Sequence, residues 1–110
     1  MNIQDWNKLS PSWRQLIRHC ARLNFGHIAN LVFQNGEPKG DFRTIKTFHP
    51  GKDNGPSRLF FEAEESLRPQ WVEIMVLVQS RPSLRVVKFE VAHGLPLKLQ
   101  VEEETEAANA

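Results

Sequence analysis

The stretch that decides the fold, residues 9–36, reads LSPSWRQLIRHCARLNFGHIANLVFQNG. Its first part predicts a helix, because Ser10 is a good N-cap and Pro11 suits the first helical position, where its missing N–H has no intrahelical partner to lose. Apolar residues then recur at three- and four-residue spacing, as on one face of a helix: Trp13, Leu16, Ile17 and Cys20. Asn24 and Gly26 are expected to end this helix.

A β-hairpin is predicted directly after the helix. Residues 27–34 have the apolar content of a strand, but Ile28 and Leu31 fall on opposite faces, which indicates a bulge or a late strand start near Asn30. Asn35-Gly36 is a strong hairpin signal, because a type I′ turn needs a positive φ at both central residues. The returning strand is expected to run through Phe42, Thr44, Ile45 and Phe48.

The second half of the chain repeats this plan at a constant offset of 58 residues. The motif LSPSW at 9–13 matches LRPQW at 67–71, and GEP at 36–38 matches GLP at 94–96, with no gap between the matches. The shared residues are a helix-start proline, an anchoring tryptophan and a turn glycine, all of which have positional meaning. Residues 71–78 are β-branched enough for a strand, but their alignment with the first helix predicts a helix.

The predicted fold class is α+β, with the order α-β-β-α-β-β. Two hairpins form a four-stranded, mostly antiparallel sheet, and both helices lie on one face of it around an approximate twofold axis. A single domain is expected over 1–101, made of two repeats at about 9–48 and 67–101 that are joined by a loop at 49–58. Residues 59–65 fit either an extra strand or a first helical turn, and the acidic residues 102–110 are expected to form a disordered tail.

Composition excludes several classes of protein. The chain has 110 residues, of which 40% are apolar and 25% charged, and a formal charge of +1, as is typical of one small soluble domain. No stretch approaches the roughly 20 apolar residues that cross a bilayer, and the N-terminus does not resemble a secretory signal. Because Cys20 is the only cysteine, no intrachain disulfide can form, and a cytoplasmic location is expected. The lack of a spanning stretch predicts no membrane association.

The pattern of residues supports neither a catalytic site nor a metal site. The histidines, His19, His27, His49 and His93, lack metal-ligand spacing. Cys20 lies in an apolar helical stripe, where a buried thiol is expected. We therefore predict no enzymatic activity, no metal and no cofactor.

The first helix carries a basic face that is a candidate nucleic-acid site. Arg14, Arg18 and Arg22 follow one another at four-residue spacing, with His19 beside them, and such a row can neutralise phosphates. The alternative is a solvated helix face without a ligand. Charge distribution supports an interaction surface, because residues 1–55 carry 8 basic and 4 acidic groups, whereas residues 56–110 carry 6 and 9.

The second helix is apolar nearly all round, which is unusual for a helix at a surface. Val72, Val76 and Leu77 occupy positions that are polar in the first helix. Either these residues form a homodimer interface, or another part of the chain, such as the N-terminal residues with Ile3 and Trp6, covers them.

The sequence thus predicts a small cytoplasmic, non-enzymatic binding module, expected to be prokaryotic and to work as a homodimer or with a protein partner. Its leading function is binding of the nucleic-acid backbone through the basic helix face. One alternative is a small-ligand sensor with a cleft at the seam between the halves, where Trp13, Trp71 and His49 meet. Another is a protein-interaction or assembly domain.

Overall fold

A computed structural model of the chain describes residues 8–39, 41–57 and 68–102. The described elements, in chain order, are α1 (Pro11–Leu23), β1 (Gly26–Gln34), β2 (Glu37–Lys39), β3 (Arg43–Lys46), α2 (Pro69–Gln79), β4 (Ser83–Ala92) and β5 (Leu95–Glu102). The α+β class and the antiparallel sheet are confirmed, and residues 69–79 are helical as the alignment predicted. Residues 59–65, whose structure the sequence left open, lie outside the described residues. Of the predicted tail at 102–110, residues 103–110 also lie outside them, whereas Glu102 is not in a tail but is the last residue of β5.

Within the described residues the sheet has five strands, so the prediction of four strands is wrong. Its order is β2-β1-β4-β5, and β3 pairs with β1 beside β2. β2 pairs with residues 32–34 of β1 and β3 with residues 26–29, so the predicted returning strand is present but divided in two. The pairs Ala29–Arg43 and Val32–Lys39 are three residues apart along β1 but four residues apart along the returning chain. The returning chain therefore contains one extra residue at this point.

The division coincides with Asn30, which has a φ of 62°. Asparagine tolerates this left-handed conformation better than most residues, and the kink lets Ile28 and Leu31 both face the core despite their three-residue spacing. The predicted irregularity near Asn30 is confirmed, and it explains why a single straight returning strand does not form.

Both helices cover one face of the sheet. Their buried residues join alternating residues of β1 and β4 in one hydrophobic cluster, in which the strand residues are Ile28, Leu31, Phe33, Leu84, Val86, Phe89 and Val91. Directly opposite partners in the β1–β4 pairing, such as Ile28 and Phe89, are both fully buried. Pro38 and Pro96 lie in β2 and β5, the edge strands, with their side chains buried.

The ends of α1 are held by specific contacts. The Ser10 hydroxyl accepts a hydrogen bond from the Trp13 backbone N–H at 3.4 Å, as expected of an N-cap. The Ser10 and Ser12 hydroxyls also donate to Oε2 of Glu37 in β2, at 2.6 and 2.7 Å. These bonds tie the start of the helix to the first hairpin.

The loop before residue 58 is anchored to the core although its sequence contains no apolar anchor. Ser57 is buried, its backbone N–H donates to the Ala21 carbonyl at 2.7 Å, and its hydroxyl donates to the His93 carbonyl at 2.6 Å. Asn24 adds a side-chain bond to the Gly55 carbonyl at 3.1 Å. The loop therefore packs between the end of α1 and the β4–β5 turn.

Within the described part of the chain, neither helix has the length and apolar character that crossing a membrane requires.

Candidate nucleic-acid interface

A groove runs along the helical side of the sheet edge, between α1 and the β2–β3 segment. Its volume is about 740 Å³, and it is lined by Ser12, Gln15, Leu16, Arg18, His19, Arg22, Pro38, Lys39 and Phe42. We call this the basic groove. α1 can form its wall because Leu16 and Cys20 are buried while Gln15, Arg18 and Arg22 are exposed.

The charges in the basic groove all have the same sign. Arg18 and Arg22 come from α1 and lie one helical turn apart, and Lys39 faces them from β2. Among the residues that the structure describes, no carboxylate lines this groove. Glu37, in the same strand as Lys39, is instead held by the hydroxyls of Ser10 and Ser12. The basic groove therefore gathers three cationic side chains, a composition that suits an anionic ligand.

His19 sits in the middle of the basic groove and joins its two walls. Its Nε2 atom is 2.7 Å from Oγ1 of Thr44 in β3, and its ring is 5.4 Å from that of Phe42, tilted by 59°. Burial lowers the pKa of His19 below that of an ordinary histidine, and the nearby Arg22 guanidinium lowers it further. His19 is therefore neutral at neutral pH and available for hydrogen bonding.

Contacts between the start of α1 and the first hairpin hold the two walls of the basic groove together. The indole N–H of Trp13 donates to the Gly36 carbonyl in the β1–β2 turn at 2.7 Å, and its ring stacks on Phe33 at 5.3 Å. Together with the bonds from Ser10 and Ser12 to Glu37, these contacts hold α1 against the first hairpin. The basic groove is thus built on packed elements, which fix the backbone positions from which its cations extend.

Most of the predicted nucleic-acid site comes together in this groove. Arg18, His19 and Arg22 line it, whereas Arg14, one turn nearer the start of α1, is half-buried and is not among the lining residues. Sequence reasoning missed Lys39 and Phe42, which line the groove, and Thr44, which contacts His19, because only the pairing of β2 and β3 with β1 brings them to α1. Their only sequence signal was their place on the strand expected to return from the Asn35-Gly36 turn.

The residues predicted for a ligand cleft do not share a site. Trp13 is 4% and Trp71 2% exposed, and Trp71 stacks on Phe89 at 5.9 Å as part of the core. His49 contacts the edge of the Phe25 ring at 5.2 Å instead. Both indoles therefore pack in the protein's own interior.

The residues predicted for a dimer interface differ in exposure. Val76 is 58% exposed, Val72 is half-buried, and Leu77 packs partly against the core cluster. Leu77 also lines a second groove, between α2 and β5, which has a volume of about 350 Å³. We call this the apolar groove, and its other lining residues are Gln70, Glu73, Ile74, Pro96, Leu97, Lys98 and Leu99.

Cys20 is fully buried in the core, and this burial raises the pKa of its thiol far above the ordinary value. A thiol in that environment is a packing group. Among residues 8–39, 41–57 and 68–102, no cluster of three or more His, Cys, Asp or Glu side chains has the arrangement of a metal site.

The fold and the basic groove define a small α+β domain with a cationic cleft on its helical side. Comparison with protein-family models, with curated proteins and with solved structures finds no significant match for this chain. The function is therefore inferred from the residues of the groove.

Proposed function

We propose that this protein is a small, cytoplasmic, non-enzymatic module that binds the phosphate backbone of nucleic acid in the basic groove. The observation that carries the proposal is the convergence of three cationic side chains, those of Arg18, Arg22 and Lys39, on one groove. Positive side chains at such a site release the counterions condensed on phosphates, which is the main source of backbone affinity. The neutral side chains of Gln15 and His19 add hydrogen-bonding capacity to sugar and phosphate oxygens.

The chain is also proposed to be an internal duplication, and this bears on how the groove arose. α1 and α2 begin at Pro11 and Pro69, and the turns at 35–36 and 93–94 share positive φ values at both positions. β1 and β4, the strands that correspond under the 58-residue offset, pair antiparallel with each other from Gly26 and Val91 to Gln34 and Ser83, as a twofold axis between them requires. These observations favour a pseudo-twofold axis between β1 and β4.

The two grooves occupy equivalent positions under the same offset. Six of the nine residues that line the basic groove have counterparts lining the apolar groove: Ser12, Gln15, Leu16, His19, Pro38 and Lys39 correspond to Gln70, Glu73, Ile74, Leu77, Pro96 and Leu97. The proposed duplication thus gave one groove twice, with Arg18, Arg22 and Lys39 lining the first copy and Lys98 as the one cation among the described lining residues of the second.

Binding of oligonucleotides is expected to depend steeply on salt. With three phosphate contacts, the affinity should fall roughly 20- to 40-fold between about 50 and about 200 mM salt. The triple variant Arg18→Gln/Arg22→Gln/Lys39→Gln should lose both the affinity and most of this salt dependence. Fluorescence anisotropy with labelled single- and double-stranded DNA and RNA measures both quantities.

A matched control removes the same amount of charge elsewhere. Arg43, Lys52 and Lys88 are outside the basic groove, so Arg43→Gln/Lys52→Gln/Lys88→Gln should bind much as the wild type does. Adding Arg14→Gln to the groove variant tests whether Arg14 contributes, as the sequence predicted. Wild-type affinity in the groove variant, or equal losses in the groove and control variants, would overturn the proposed function.

Occupation of the basic groove is expected to raise the pKa of His19. In the free protein, burial and Arg22 disfavour the imidazolium form, whereas a bound phosphate favours it by attraction. By linkage, affinity should therefore increase as the pH falls through the titration range of His19. NMR titration of the histidine ring protons with and without oligonucleotide measures the shift, and His93, in the β4–β5 turn, serves as the internal reference. Binding without any change at His19 would place the ligand elsewhere.

Sensing of a small ligand at the seam between the halves has less support. Such a function would need ligand contact with both Trp13 and Trp71, whose side chains are 4% and 2% exposed. An assembly role remains compatible with nucleic-acid binding, because the apolar groove lies on the other half of the molecule.

A further inference from the structure

The apolar groove adjoins an edge of the sheet that is suited to pairing. β5 is eight residues long, and among the described residues β4 is its only hydrogen-bonded neighbour. Its outer edge therefore presents backbone N–H and C=O groups that a further strand can bind. The opposite edge is less suited, because β2 and β3 are only three and four residues long and are interrupted between Lys39 and Arg43.

The side chains of β5 divide cleanly between the two faces of the sheet. Leu99 and Val101 lie opposite Phe89 and Val86 on the helical face, where they pack partly against the core. Lys98, Gln100 and Glu102 lie on the open face. Leu97 falls at the register shift between the Val91–Pro96 and Glu90–Lys98 pairs, and it is 67% exposed.

The charges on the open face already alternate between β4 and β5. Nε of Arg85 is 3.9 Å from Oε2 of Glu102, and Nζ of Lys98 is 3.6 Å from Oε2 of Glu90. These two pairs place a carboxylate at one position of the edge strand and an ammonium group four residues earlier. An antiparallel copy of the same strand has the complementary order.

Only one register of such a copy uses this complementarity. When two copies of β5 pair antiparallel, side chains of the same face lie opposite each other only if the twofold axis passes at the level of a residue. An axis at Lys98 sets the two Lys98 side chains opposite each other, which is unfavourable. Centring on Leu99 sets Lys98 opposite Gln100. Centring on Gln100 sets each Lys98 opposite Glu102 of the second copy, and each Leu99 opposite Val101 of the second copy.

We propose that two copies of this chain pair antiparallel through β5 in the register centred on Gln100. On the open face, charged side chains of alternating sign then form two rows of four across the junction. Each row runs Arg85, Glu102, Lys98 and Glu90, and the last two residues belong to the second copy. On the helical face, Leu99 and Val101 cover each other, and the apolar grooves with Leu77 and Leu97 meet at the junction. The interface is isologous, so each favourable contact occurs twice.

This interface differs from the α2 surface that the sequence predicted. Of the predicted residues, Leu77 belongs to it through the apolar groove. Val76, the most exposed of the three, does not line that groove. The two surfaces can therefore be separated by mutation.

Charge reversal at β5 tests the proposal. Wild-type protein is expected to show a reversible monomer–dimer equilibrium in sedimentation and light scattering. Lys98→Glu or Glu102→Lys alone should raise the dimer Kd by about tenfold or more, because each turns two attractive cross-strand pairs into repulsive ones. The double variant Lys98→Glu/Glu102→Lys should restore dimerisation.

The double variant separates pairing between copies from effects within one chain. Within a chain it keeps both new unfavourable contacts, since the introduced carboxylate at position 98 lies beside Glu90 and the introduced ammonium group at position 102 lies beside Arg85. Only contacts between copies can therefore produce the rescue. Arg43→Glu, on the opposite edge of the sheet, makes a similar change of net charge and should leave the Kd unaltered. Circular dichroism verifies that each variant is folded.

Several outcomes would overturn the proposal. They are a wild-type monomer throughout the accessible concentration range, failure of the double variant to regain the dimer, and equal weakening by Arg43→Glu. Loss of the dimer in Val76→Asp without loss in Lys98→Glu would assign the interface to α2 instead.

Discussion

Trp71→Ala is expected to lower the free energy of unfolding by about 3–5 kcal/mol, the usual cost of emptying a large aromatic site. Trp71 is 2% exposed and stacks on Phe89 at 5.9 Å, so the surrounding side chains have little room to collapse into the space left behind. That cost is a large fraction of the roughly 5–15 kcal/mol by which domains are stable. Urea unfolding followed by far-ultraviolet circular dichroism measures it.

The same variant tests whether the two halves form one cooperative unit. A single hydrophobic cluster contains Trp13 and Trp71 together with strand residues from both halves. A defect in the second half should therefore reduce the protection of backbone amides against hydrogen exchange in α1 and β1 as much as in α2 and β4. Trp71→Phe, which keeps an aromatic ring against Phe89, is the control and should lose less stability. Wild-type protection in α1 beside lost protection in α2 would mean two independently folding halves.

The elements with local signals were predictable from the sequence. The Asn35-Gly36 turn has φ values of 53° and 80°, as a type I′ hairpin requires, and α1 begins at Pro11 behind a Ser10 cap. α2 was harder, since its β-branched residues favour a strand, and the match of Pro69 to Pro11 decided the prediction correctly. In each case a short-range conformational requirement selects the residue, so the residue reveals the conformation.

The features that the sequence did not reveal depend on contacts between distant residues. Nothing near Ser57 predicts that it is buried, because its partners are the carbonyls of Ala21 and His93. Lys39 belongs to the basic groove only because β2 pairs beside the kink at Asn30, which decides where the returning chain lies. The basic helix face was visible as a row of arginines, but its opposite wall was not.

The basic first half and the acidic second half of the chain carry different surfaces. The first half supplies every described cation that lines the basic groove, while in the second half the equivalent positions include Leu77 and Leu97. Under the proposed duplication, one groove became a site for anions and the other an apolar surface beside an edge strand. The two grooves lie at opposite edges of the sheet, so the proposed dimer through β5 leaves both basic grooves open to nucleic acid.

Gly94→Ala is expected to destabilise the protein by about 2–5 kcal/mol, through backbone strain and crowding together. Gly94 has a φ of 74°, and a Cβ atom there would lie 2.5 Å from Cβ of Ser57 and 3.2 Å from Cα of Ala21. These neighbours cannot easily move, because Ser57 is buried and bonded to the Ala21 and His93 carbonyls. Thermal and urea denaturation measure the loss.

Gly36→Ala separates strain from crowding. Gly36 occupies the equivalent turn position with a φ of 80°, but a Cβ atom there would meet only Cγ of Gln79, at an ordinary 3.5 Å. Its substitution should therefore cost about 1–2 kcal/mol, the conformational part alone. The difference in unfolding free energy between the two variants measures how tightly the loop that contains Ser57 holds the β4–β5 turn. In the double variant Ser57→Gly/Gly94→Ala, removal of the Ser57 Cβ should make the total loss smaller than the sum of the single losses. Equal losses in Gly94→Ala and Gly36→Ala would mean that the loop yields, and that the start of β5 is not held by the end of α1.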